Sequence, residues 1–299
     1  MSTARLATYL PKGGTGKTTT AAHIGVAAAE RGLDVCLVDL AGDQNDLATQ
    51  FGLRETVVET PPEDRVPNIA HPFRSDWRGL CEAVGGAERA VDALTIETDE
   101  GPDLIPSHPA LSSVDDELAD MPIEDRVKVF DDFVSEDLGP GYDLVVLDLH
   151  GADSNIASNG VVAGGSVVAP VSQGTFERQQ VSALQETLGK IRERTDATPI
   201  LERLVANDVR ANTTMGRQWR DSLAEEFGEK LVADAQIPQS QAIQDQQGAG
   251  QTLFAADPTE LSATGRRARA AFEELTDELL DRLGVDVPTP APSADYLEA

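Results

Sequence analysis

Eight consecutive residues, Lys12-Gly13-Gly14-Thr15-Gly16-Lys17-Thr18-Thr19, constrain this chain more than any other stretch of it. They stand between a short apolar segment over 5–10 and an alanine-rich helical pattern over 17–31, so a strand enters a glycine-rich loop and a helix leaves it. Such a loop aims backbone N–H groups and a helix N-terminus at one point, where an anion is stabilised. Gly13, Gly14 and Gly16 let the backbone approach a phosphate without a Cβ in the way. Lys17 supplies a cation for the outer phosphate oxygens and Thr18 a hydroxyl for Mg²⁺, with Thr15 and Thr19 in the same cradle.

The run 34–39 is nearly all apolar and ends in Asp39, which suits a strand buried on both faces and completes a βαβ unit. Further apolar strands at 144–148, 166–169 and 200–206 alternate with helical patterns over 156–163 and 176–194. That alternation predicts an α/β fold, a mostly parallel, doubly wound sheet with helices on both faces. Clear signals also mark Leu104-Ile105-Pro106-Ser107, helices over 112–119, 122–137, 215–227 and 262–283, and a turn at Ile237-Pro238. Between 54 and 100, proline, glycine and acids leave periodicity with little to assign, and the segment reads as a variable insertion. The expectation is a single domain over 1–286 followed by a Pro-rich disordered tail over 287–299.

Acidic residues number 52 against 24 basic ones, a formal charge of -28. They are spread along the chain, which points to a solvated anionic shell that stays soluble where salt screens self-repulsion, as in a halophile. Cys36 and Cys81 provide neither a disulfide framework nor a CxxC metal site, which fits a reducing compartment. His23, His71, His108 and His150 make no spaced ligand set with them, so no zinc or iron is expected. No apolar run approaches the roughly 18 residues that span a bilayer, and no leader pattern opens the chain. The expected location is cytoplasmic, with nucleoid association an open option.

Pro11 stands where the strict G-x-x-x-x-G-K-[ST] pattern has its first glycine. Lys12 to Thr19 instead resembles the KGGxGKTT loop of the ParA/MinD family of deviant Walker A P-loop ATPases. Val38-Asp39 is similar to that family's second segment, and Tyr142-Asp143-Leu144-Val145-Val146-Leu147-Asp148 to its Walker B strand. Leu104-Ile105-Pro106-Ser107, Asn159, Val168-Ala169-Pro170-Val171, Asn207 and Ile237-Pro238 fall where the family has similar short segments, so the resemblance covers most of the chain outside 54–100 and the tail. It implies a P-loop NTPase fold, ATP and Mg²⁺ as cofactors, and a homodimer with ATP in which Lys12 reaches the partner's nucleotide. It also implies Thr18, Asp39 and Asp148 around the metal, Lys12, Lys17 and Asp39 in catalysis, and Gly151 toward the γ-phosphate. Asn207 then reads the adenine with its amide, unless it forms an Asx-turn, and Pro238 joins the nucleotide-binding residues.

Two departures matter. Relatives commonly carry Asp-x-Asp-Pro where this chain has Asp39-Leu40-Ala41-Gly42, so the second carboxylate, linked to positioning the attacking water, is missing. Slow hydrolysis is expected, and Asp43, two residues on, is the candidate to reach the same water. After Asp148 the family's Pro-Pro is replaced by Leu149-His150-Gly151, with His150 either a proton or water partner or a packing residue.

The resemblance implies a partition or positioning ATPase that binds DNA non-specifically as its ATP dimer, carries DNA or another cargo, and meets a partner protein that stimulates hydrolysis. Candidate DNA contacts are Arg217, Arg220, Arg266, Arg267 and Arg269, with Arg203 and Arg210 also considered. A MinD-like membrane-cycling ATPase is the first alternative, but residues 286–299 carry no Lys or Arg, so no membrane partner is expected. A slowly or non-hydrolysing ATP-switched scaffold for a partner protein is the second.

Overall fold

The computed structural model describes residues 3–42, 44–59, 61, 64–210 and 212–288. Its eight strands are β1 (Ala4–Thr8), β2 (Val35–Leu40), β3 (Ile96–Glu97), β4 (Asp103–Ile105), β5 (Leu144–Leu149), β6 (Ser166–Val171), β7 (Ile200–Val209) and β8 (Val232–Pro238). They form one sheet in the order β3-β4-β2-β5-β1-β6-β7-β8, parallel except where β3 meets β4. The helices are α1 (Lys17–Ala29), α2 (Asp46–Gln50), α3 (Arg54–Glu59), α4 (Trp77–Val84), α5 (Ala87–Asp92), α6 (Leu111–Ala119) and α7 (Ile123–Arg126). After them come α8 (Val129–Phe133), α9 (Asn155–Gly164), α10 (Thr175–Arg194), α11 (Thr214–Phe227), α12 (Gln241–Gly248) and α13 (Ala263–Leu283).

Helices cover both faces, which is why β2 and β5 are buried along their whole length. Val145, Leu147 and Leu149 of β5 pack with α8 to α11, while Leu144 and Val146 meet α1 and α13. Phe130 and Phe272, each 0% exposed, anchor the two layers, a burial worth about 1.5–3 kcal/mol per side chain.

The doubly wound α/β sheet matches the expectation, and the differences are local. The helix expected over 122–137 is broken into α7, α8 and a π-turn over Val134–Leu138. Its cause is the buried amide of Asn159 on α9. Asn159 Oδ1 accepts from the Phe130 N–H at 3.1 Å and its Nδ2 donates to the Arg126 carbonyl at 2.6 Å. Those two backbone groups would bond each other in a continuous helix, so the inserted side chain replaces that rung.

Strand β8 and helix α12 carry little sequence signal. In β8 only the small or apolar Ala233, Ala235 and Ile237 alternate inward with exposed Asp234 and Gln236, and α12 is rich in glutamine. The 54–100 segment folds into α3, α4, α5 and β3, and its Phe73 stacks on Phe130 with centroids 4.5 Å apart. Trp77 meets Phe133 edge-on at 5.4 Å, so this segment contributes to the core on that face. Of the expected tail, residues 289–299 lie outside the described residues.

Candidate functional site

The parallel register brings three side chains to one level at the carboxyl edge of the sheet: Thr8 of β1 opposes Asp148 of β5, and Asp148 opposes Asp39 of β2. All three are 0% exposed. Ligands of open α/β sheets lie outside this edge, where the chain leaves the strands for the helices. Here the glycine loop after β1 rises over them and opens a cleft of about 800 Å³.

Gly16 is the residue before α1 and has φ +90°, and a Cβ on it would collide with the Asn207 amide. Only glycine fits that position. Asn207 Nδ2 donates to the Thr15 carbonyl at 2.7 Å, so this side chain braces the loop from β7. It lies within β7, which runs three residues beyond the expected end of that strand. Pro238 ends β8, opposite Val209, and is not among the residues lining the cleft.

The cleft gathers Gly13, Gly14, Gly16, Lys17, Thr18, Thr19 and Gly151 from the expected set. Gly151 lies directly on the loop: a Cβ there would overlap the Lys12 carbonyl and the Gly13 amide. Lys17 is 7% exposed and donates from Nζ to the Lys12 carbonyl at 2.7 Å. Burial lowers its pKa, and the charges of Asp148 and Asp46 oppose that shift. The Lys12 side chain points elsewhere, into an ion pair with Glu177 in the first turn of α10.

Asp39 accepts from the Ala41 N–H at 2.8 Å through Oδ1 and from the Leu47 N–H at 3.2 Å through Oδ2. Burial raises its pKa, and the neighbouring Asp148 raises it further. Burial raises that of Asp148 too, against the nearby Thr18 hydroxyl, the Thr8 bond and the charge of Lys17. Asp148 Oδ1 accepts from Thr8 at 3.1 Å, whereas its Oδ2 is enclosed with no hydrogen-bond partner among the described residues. A buried carboxylate oxygen left without a donor is costly unless a cation or its water completes it. With the Thr18 hydroxyl near the same carboxylate, this donor set fits Mg²⁺, which keeps most of its own waters and takes few protein ligands.

Ala41 is 8% exposed and lines the cleft with its methyl, so no carboxylate stands at that position. Asp43 lies outside the described residues. His150 is spent locally: its Nδ1 accepts from the Ala152 N–H at 3.0 Å and its Nε2 meets the Ser154 hydroxyl at 3.1 Å. Sequence reasoning missed Asp46, Asp115 and Asp116 on the cleft wall, and Ser107, whose hydroxyl holds the Gly42 carbonyl. Asp46, seven residues past Asp39 at the start of a short helix, was findable; the Lys12–Glu177 pair had no local signal.

The candidate DNA arginines divide. Arg220 is held by Glu229 at 2.8 Å, Asp234 at 2.6 Å and the Ala233 carbonyl at 3.1 Å. Arg269 bonds Glu30 and Glu273 and sits 4.8 Å over the Phe254 ring, and Arg203 is buried against Glu278. Arg217, Arg266 and Arg267 are exposed, and among the described residues no carboxylate pairs with them. They do not share a surface layer: α11 packs on one face of the sheet and α13 on the other.

Comparison with known proteins agrees with this geometry. The model of the AAA domain family matches residues 4–201. The chromosome-partitioning ATPase Soj of Thermus thermophilus is 27% identical over 280 residues, 93% of this chain and 96% of Soj. An ATP complex of McdA from Cyanothece superposes with a TM-score of 0.72 at 15% identity, covering 96% of this chain and 99% of that one. A cobyrinic acid a,c-diamide synthase from Mycobacterium smegmatis, with bound ADP and magnesium, gives 0.70 at 22% identity, covering 97% and 100%. Among the described residues no helix is long and apolar enough to cross a membrane. The chain belongs to the AAA domain family and, within it, to the ParA/MinD-like P-loop ATPases.

Proposed function

We propose that the chain binds Mg-ATP in the cleft between α1, Ala41 and Gly151, forms a homodimer around it, and hydrolyses it slowly while positioning DNA or another cargo. The observation that carries this reading is Asp148 Oδ2, beside Thr18 and unpartnered among the described residues, beneath a loop whose Lys17 bonds the Lys12 carbonyl. Both groups are completed by one ligand, a metal-bound triphosphate. Bound Mg²⁺ supplies charge neutralisation of the phosphate oxygens. Lys17 binds the outer phosphates, Gly151 offers its N–H to the γ-phosphate, Asn207 braces the cradle from β7, and Lys12 is shared across the dimer.

Likeness to a chromosome-partitioning ATPase over nearly the whole chain supports the positioning role. Non-specific DNA binding then falls to Arg217, Arg266 and Arg267, which, like Arg210, have no carboxylate partner among the described residues. The methyl of Ala41 favours one second reading, an ATP-switched scaffold with little turnover.

Light scattering with ATP and with ADP tests the dimer, and co-sedimentation with DNA and with anionic liposomes in matched high salt tests the cargo surface. Calorimetry of Lys17→Ala tests the site: ATP affinity at the parent level removes the phosphate-loop assignment.

A further inference from the structure

The carboxylate expected for hydrolysis is absent at Ala41, so another side chain of the cleft has to hold the attacking water. Most candidates are committed. Both oxygens of Asp39 accept backbone N–H groups, Asp115 Oδ1 accepts from the Ile156 N–H at 2.8 Å, and both ring nitrogens of His150 are engaged. Among the described residues two exposed carboxylates remain on the wall, Asp46 and Asp116.

Asp46 is the better placed. It is the first residue of α2, and the next residue, Leu47, is tied by its N–H to Asp39 Oδ2 at 3.2 Å. That bond fixes the start of α2 against the acid at the end of β2. Asp46 lines the same cleft as Gly13, Lys17, Thr18 and Gly151, and its charge is felt by the Lys17 ammonium. No hydrogen bond among the described residues holds it, which leaves its oxygens free for water.

We propose that Asp46 is the catalytic residue that orients the attacking water, in place of the carboxylate missing at Ala41. This rests on the Mg-ATP reading of the cleft. The water oxygen bonds to the γ-phosphorus as the bond from that phosphorus to the β,γ-bridging oxygen breaks. One water proton, held by Asp46 during attack, passes to a phosphoryl oxygen, so ATP and water become ADP and dihydrogen phosphate.

The test uses the full chain and three probes: the affinity of a non-hydrolysable ATP analogue, the affinity of ADP with aluminium fluoride as a mimic of the transferring phosphoryl group, and turnover. Asp46→Asn is expected to hold the analogue within about twofold of the parent, and to lose about 10²-fold in turnover and in the preference for the mimic over the analogue. Adding Ala41→Asp to Asp46→Asn is expected to restore turnover, and Asp46→Glu to retain part of it. Unchanged turnover in Asp46→Asn, or the same loss produced instead by Asp43→Asn or Asp116→Asn, overturns the assignment. Parallel loss of analogue affinity also overturns it, since Asp46 then serves binding or folding. If the parent itself fails to bind the analogue, the Mg-ATP reading falls and the role of Asp46 with it.

Discussion

The ammonium of Lys12 is paired with the carboxylate of Glu177, 165 residues away on the first turn of α10. The side chain proposed to reach a partner's nucleotide is therefore held within its own chain by an ion pair. Glu177 carboxylate is mostly buried while Lys12 is about one-third exposed, so the pair is a modest restraint, of order 1 kcal/mol.

Glu177→Gln is expected to lower the protein concentration needed for the ATP dimer by about two- to fivefold. Lys12→Ala is expected to leave a monomer with ATP. Analytical ultracentrifugation with ATP and with ADP reads both, and a weaker dimer in Glu177→Gln shows that Glu177 works across the interface instead of restraining Lys12.

The Asp39–Asp148 pair predicts a pH dependence of stability. Burial first, and for Asp39 the charge of its neighbour second, raise both carboxyl groups above the usual range. The folded protein then keeps a proton that the unfolded chain has released, so stability present below the unfolded pKa near 4 is lost as pH rises through the folded values. The slope is about 1.4 kcal/mol per pH unit for each retained proton. Thermal melts without nucleotide are expected to fall from about pH 5 to about pH 8, and to flatten in Asp39→Asn and with Mg-ATP. A parent profile that is already flat means that the pair is ionised in the free protein.

Arginine substitutions are expected to separate DNA contacts from structural ones. Arg266→Glu with Arg267→Glu is expected to abolish ATP-dependent co-sedimentation with DNA while sparing nucleotide affinity. Arg217→Glu, on the opposite layer, is expected to have little effect, and the reverse outcome moves the DNA surface to α11. Arg269→Glu is expected to destabilise the fold, because it repels Glu30 and Glu273 and empties the contact on Phe254.

Asn159→Ala is expected to cost about 2–4 kcal/mol, since it strands the buried Phe130 N–H and Arg126 carbonyl together. Urea unfolding measures it. A near-neutral result means that α7 and α8 heal into one helix once the amide is gone.

What the sequence reveals depends on how far apart the cooperating residues stand. The glycine loop, Lys17 and Thr18 are contiguous, and Asp39 and Asp148 end uninterrupted apolar strands, so all of them could be read directly. Parallel pairing then brought those two acids side by side. The break at α7 was hidden because it is made by Asn159, from another helix. Strand β8 was hidden because alanine, aspartate and glutamine give a faint alternation. The restraint on Lys12 and the anchoring of Gly42 by Ser107 are tertiary and leave no local trace.

Gly151 bears on the Lys12 carbonyl, which is also the acceptor for Lys17 Nζ. On the proposed Mg-ATP reading, drawing the Lys17 ammonium toward a phosphate would leave that carbonyl without its donor, directly against Gly151. Lys12 thus joins the cradle to α10, its carbonyl bonded by Lys17 and its ammonium by Glu177, so a change at either end of this one residue is expected to be felt at the other.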